Sequence, residues 1–172
     1  MASQTPADRQ PECVPERVPE RVSDYPRPPR LEQETRRIRI VLGGATIVDT
    51  TEAWRVLETT HPPSFYIPPT AFVAGTLVAS PGRTSLCEWK GAAAYWTLQA
   101  GGRVARDAGW SYPAPTPAFA PIAGYVAVYA GAMDACFVGG ELVTPQPGGF
   151  YGGWITAELI GPFKGTPGTE FW

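Results

Sequence analysis

Glycine and proline interrupt this chain too often for long helices. There are 19 glycines and 20 prolines among 172 residues, close to twice the roughly 12% combined share of ordinary chains. Proline removes a backbone donor and glycine weakens a helix, so a helical bundle is excluded. Disorder throughout is excluded too, because 44% of residues are apolar and 12% aromatic. Many short strands joined by tight turns remain, and the expected fold class is mainly β.

Local patterns place the strands. In "RRIRIVLGGATIVDT", Ile38, Ile40 and Leu42 alternate with Arg39 and Val41. Gly43-Gly44 then supplies the positive φ of a two-residue hairpin turn. A second hairpin is expected from strands near 124–130 and 133–138 around Ala130-Gly131-Ala132, with Gly139-Gly140 turning into "ELVTP". Shorter strands are expected at "TEAWRVLET", "FYIP", "TLVAS", "TSLCEWK" and "AYWTLQA". Residues 1–23, with the near-repeat "VPERVPERV", read as a flexible proline-rich arm. "DYPRPPRL" is expected to dock through Tyr25 and Leu31. Residues 24–172 read as one domain ending in a wrapping glycine- and aromatic-rich tail, with a short strand or turn at "WITAEL".

Several partners and compartments are disfavoured. Net charge is −2 without a basic stripe, which disfavours nucleic acid. No apolar run approaches the roughly 18 residues of a membrane span, and "MASQTPADRQPE" has no secretory core. Cys13, Cys87 and Cys136 are odd in number and widely spaced, which suits free thiols in the cytoplasm.

The order of motifs adds a family. "DYPRPPRLE", "RVLETTHPPSFYIPP", "SLCEWKGAAAYW", "WSYPAPTPAF", "GYVAVY", "MDACFV", "TPQPGGFYGGWIT" and "GPFKGTPGT" together resemble the proteins called domain of unknown function 427. The resemblance implies compact, bent antiparallel sheets of the β-tent or Mss4-like kind. Members are similar in carrying acids after the prolines, after "YW" and in the hairpin turn. This chain has Thr70-Ala71, Thr97 and Gly139-Gly140 there, so acid chemistry at those positions is lost. The nucleotidyltransferase-like label attached to the family implies metal-assisted phosphoryl chemistry. The chain has no D-x-D and no phosphate-binding glycine loop leading into a helix.

The site candidates are few. His61 is the only histidine, fixed in "THPP", where it is a pocket hydrogen-bonder or a base oriented by Glu58. Lys90 and Lys164 are the only lysines. In "EWKGAAAYW", Lys90 is a compact cation among aromatics, either an anion anchor or a solvent-facing side chain. Cys87 is a candidate thiol nucleophile, although strand alternation would point it away from Lys90 unless the chain bends at Gly91. Cys87, Cys136 and His61 together form the one conceivable zinc set. The expected cavity is lined by His61, Tyr66, Lys90, Trp110 and Tyr112, takes a small-molecule ligand, and needs no cofactor or metal. Catalysis through His61, Lys90 or Cys87, and a protein-interaction module, are the alternatives; the oligomeric state is left open.

Overall fold

The computed structural model describes residues 17–172. In chain order the strands are β1 (Glu20–Arg21), β2 (Arg30–Glu34), β3 (Ile38–Leu42), β4 (Ala45–Thr50), β5 (Ala53–Leu57), β6 (Ser64–Tyr66), β7 (Leu77–Cys87) and β8 (Gly91–Ala100). They continue as β9 (Arg103–Ser111), β10 (Val126–Val128), β11 (Ala135–Val138), β12 (Glu141–Leu142), β13 (Thr144–Pro145), β14 (Trp154–Ile155) and β15 (Leu159–Ile160). The protein is mainly β, as its composition dictates. The sheets run β12-β11-β3-β4, β10-β9-β8-β7 and β2-β5-β6, with the short pairs β13-β14 and β1-β15. No helix among the described residues is long and apolar enough to cross a membrane.

The β3–β4 hairpin forms where the glycines predict it. Gly43 and Gly44 hold φ of +58° and +75°, and Ile38, Ile40 and Leu42 point into the core. A second Gly-Gly turn, Gly101-Gly102, joins β8 to β9 in the same way. The two turns meet backbone to backbone: a Cβ on Gly101 would lie 1.9 Å from the Gly43 carbonyl oxygen. Gly101→Ala should therefore lower stability by at least about 2 kcal/mol, combining left-handed strain with a clash. Gly44→Ala, which meets nothing within 4 Å, should lose only the conformational part. Denaturant midpoints of the two variants check this; equal losses would rule out the clash.

Two expectations are corrected by the pairing. The strands around Ala130-Gly131-Ala132 do not pair with each other. Val126 pairs with Ser111 of β9, whereas Cys136 pairs with Ile40 of β3. Gly131 lacks the positive φ that Gly139 and Gly140 adopt, so a 3-10 turn over Ala130–Ala132 carries the chain between sheets. Likewise, "TLVAS" and "TSLCEWK" are not two strands. They merge into β7, which skips register between Ser80 and Thr84 at Pro81-Gly82. Because β7 is an edge strand, the missing proline donor leaves no ladder bond broken.

Of the arm expected over residues 1–23, residues 1–16 with Cys13 lie outside the described residues. Glu20–Arg21 pairs with Leu159–Ile160, and Val22 is fully buried beside Leu57. Tyr25 is buried with them, and Leu31 packs at the edge of the neighbouring core. Arg55, buried on β5, donates to the carboxylates of Glu20 and Glu32. Glu32 is its direct neighbour across the sheet, so cross-strand register chooses this partner.

The central sheet divides the interior in two. Along β8, Trp96 and Leu98 face a large aliphatic core shared with β3, β4 and β11. Ala93 and Tyr95 face an aromatic core with Tyr66, Trp110, Tyr112 and Phe119. Strand alternation produces this division, and the aromatic side opens into a cavity.

Candidate functional site

The cavity has a volume of about 360 Å³, and His61, Tyr66, Cys87, Lys90, Trp110 and Tyr112 all line it. Strands β6 and β9 supply the aromatic floor. The Trp110 indole N–H donates to the Tyr66 hydroxyl at 3.2 Å. The Tyr66 and Tyr112 ring centroids are 6.3 Å apart. Burial raises the pKa of both phenols, so they stay neutral and protonated at physiological pH.

Lys90 enters through a bend. Strand β7 ends at Cys87, residues 88–90 turn, and Gly91 takes φ of +103°. The bend cancels the alternation that would separate Cys87 from Lys90. Lys90 is only 8% exposed. Its ammonium lies 5.5 Å from the centre of the Tyr112 ring and 5.8 Å from that of Phe119, within the range of cation–π attraction. No described carboxylate forms an ion pair with it, although Glu58 and Glu88 also line the cavity; Glu58 lies 3.4 Å from Arg27. A buried cation without a counter-ion is an unusual arrangement in a folded protein.

His61 is held by the tail rather than by a carboxylate. The Gln146 side-chain NH2 donates to His61 Nδ1 at 3.2 Å and to the Lys164 carbonyl at 2.9 Å. The Gly153 N–H donates to Gln146 Oε1 at 2.9 Å. That last bond sets the amide orientation, so Nδ1 must accept and Nε2 must carry the proton. Among the described residues Nε2–H meets no acceptor, and His61 lines the cavity. Tyr151 packs edge-on against the imidazole, with centroids 4.7 Å apart. Glu58 touches His61 only through the backbone, accepting its N–H at 3.0 Å; the expected base-orienting carboxylate contact is not made.

Burial lowers the His61 pKa to about 4, helped by the charges of Lys164, Arg27 and Lys90. A depressed histidine pKa favours the neutral form in the folded state. The associated stability is complete above about pH 6.5 and is lost as pH falls toward 4. Because the chain has one histidine, its imidazole NMR signals can be titrated without assignment. They should move near pH 4. In Gln146→Glu, a carboxylate would face Nδ1 and favour imidazolium, so the midpoint should rise by at least about one unit. An unchanged midpoint would show that Gln146 does not set the tautomer.

The zinc set does not assemble. Cys136 sits in the aliphatic core, where burial pushes its thiol pKa up to about 12. Cys87 is half-buried on the cavity side, so the central sheet separates the two. Among the described residues no group of three histidine, cysteine or acidic side chains is placed to hold a metal. The positions that depart from the acidic family pattern do not line the cavity. Thr97 instead bonds Ser80 across the β7–β8 pair at 2.8 Å.

Gln146, Tyr151 and Lys164 were not among the expected lining residues. "TPQPGGFYGGW" held the only available signal, a glutamine and a tyrosine between glycines. These glycines allow close approach: a Cβ on Gly152 would sit 2.2 Å from the Trp110 ring, and one on Gly153 would sit 2.4 Å from the Pro62 carbonyl oxygen. The tail thus presses onto the cavity floor and onto the His61 loop.

No curated protein matches this chain. A family model described as "Domain of unknown function (DUF427)" matches residues 30–139, which contain His61, Tyr66, Cys87, Lys90, Trp110 and Tyr112, and the chain belongs to that family.

Proposed function

We propose that the cavity binds a small organic anion, a carboxylate or phosphate ester with a flat apolar body. The observation that carries this reading is Lys90. The side chain is only 8% exposed, its ammonium has no counter-ion among the described residues, and it lines the same cavity as an aromatic floor. A ligand anion would supply the missing charge in a setting of low dielectric, where such a pair is strong. Trp110, Tyr112 and Trp89 would stack on the ligand body. His61 contributes a neutral Nε2–H donor to a second ligand oxygen.

This reading favours binding over catalysis by His61. A general base in the cavity needs a lone pair there, and Gln146 directs that lone pair away, onto Nδ1. Calorimetry with benzoate, phenyl phosphate and benzamide tests the proposal. The two anions should bind, and neutral benzamide should bind at least about tenfold more weakly. Equal affinity for benzamide and benzoate would refute an anion site.

A further inference from the structure

We infer that the natural ligand is an amphipathic organic acid longer than the cavity, whose apolar body leaves over a hydrophobic rim. This rests on the anion-site reading above and specifies its ligand class. Leu86 and Phe150 line the cavity, yet they are 83% and 63% exposed. A residue that lines a cavity and still faces solvent sits at its mouth. Trp172 lines the same mouth and is 38% exposed, with its carbonyl accepting from the Lys164 ammonium at 2.8 Å.

Scattered exposed apolar residues are ordinary, but these three converge on one opening. The gradient is what matters. The interior end holds an unpartnered ammonium and a neutral imidazole donor; the outer end carries Leu86, Phe150 and Trp172 beside the exposed charged residues Arg27 and Glu88. A fully polar anion would leave the rim wet and unused. A neutral lipid would leave Lys90 unpaired. Only a ligand with an anionic head and an apolar body satisfies both ends, and charge complementarity sets its direction: head inward against Lys90, body outward.

The test is the chain-length dependence of affinity, measured by calorimetry on the full chain with straight-chain carboxylates from butanoate to octanoate. Each added methylene should tighten binding by about threefold, the scale of burying one CH2 group on a half-exposed surface. In the double variant Leu86→Ser with Phe150→Ser, the gain per methylene should fall close to one. The two substitutions replace exposed side chains, so folding is retained. Alkyl phosphates of the same lengths distinguish the two head groups, and both series should show the same slope.

A flat length dependence in the unaltered protein overturns the inference. So does a slope that is equally steep in the rim variant. If benzoate binds through Lys90 while the length series stays flat, the anion site stands and only the rim inference fails. If Lys90→Met leaves benzoate and octanoate affinities unchanged, both fail together.

Discussion

Trp154→Ala should lower the unfolding free energy by about 4 kcal/mol and release His61 at the same time. Trp154 is 1% exposed and stacks on Phe65 with ring centroids 5.1 Å apart. Its indole N–H donates to the Val128 carbonyl at 2.9 Å, and its backbone N–H donates to the Pro63 carbonyl at 2.8 Å. One residue therefore ties the tail to the aliphatic core, to β10 and to the His61 loop. Removing the indole leaves a large cavity and an unsatisfied buried carbonyl. The loss of Trp154 would loosen Gly153 and Gln146, which hold the imidazole. Urea denaturation should show the stability loss, and the histidine titration midpoint should rise from about 4 toward the ordinary 6.5 as the ring becomes solvated. A destabilised variant whose midpoint stays near 4 would show that the His61 loop is held without the tail. Trp154→Phe keeps the stacking and loses the indole bond, so a smaller loss of about 1–2 kcal/mol is expected.

Lys90→Met should move stability and affinity in opposite directions. Methionine keeps the apolar stem and removes the buried charge. Unfolding free energy should rise by about 1 kcal/mol, because an unpaired ammonium no longer has to be desolvated. Benzoate affinity should fall between about tenfold and 100-fold, the worth of a charge-assisted hydrogen bond. Thermal unfolding without ligand and calorimetry with benzoate read the two effects separately. A binding cation kept at the expense of stability gives this pairing. A lysine that merely covers Tyr112 and Phe119 would give a less stable variant with unaltered affinity. Lys90→Arg sharpens the result: the larger planar guanidinium would crowd the bend at Gly91, so it should recover the charge without the full affinity.

The cavity also shows why some residues could be chosen in advance and others not. His61 and Lys90 stood out because the chain has one histidine and two lysines, and each lies beside prolines or aromatics that limit its freedom. Tyr66, Trp110 and Tyr112 stood out as aromatics suited to a pocket; Tyr66 and Trp110 fall in β6 and β9, and Tyr112 directly follows β9. Gln146 carried no such signal. Its importance comes from contacts with residues 7, 18 and 85 positions away, and no local pattern encodes such contacts. His61, Tyr66, Cys87, Lys90, Trp110 and Tyr112 lie inside the matched span 30–139, whereas Gln146, Tyr151 and Lys164 lie beyond it.

The sequence alone determined the fold class, the Gly43-Gly44 and Gly139-Gly140 hairpins and the inward residues of β3, because positive φ and period-two burial are local properties of a few adjacent residues. It also singled out His61 and Lys90, which line the cavity. Tertiary structure decided which strands pair, that Pro81-Gly82 is absorbed within one edge strand, and that Arg55 takes Glu20 and Glu32 as partners. It also decided the tautomer of His61 and the closure of the cavity by the tail. Those outcomes depend on which distant segments share buried surface and complete each other's hydrogen bonds. That is settled when the whole chain packs, not by any stretch of it.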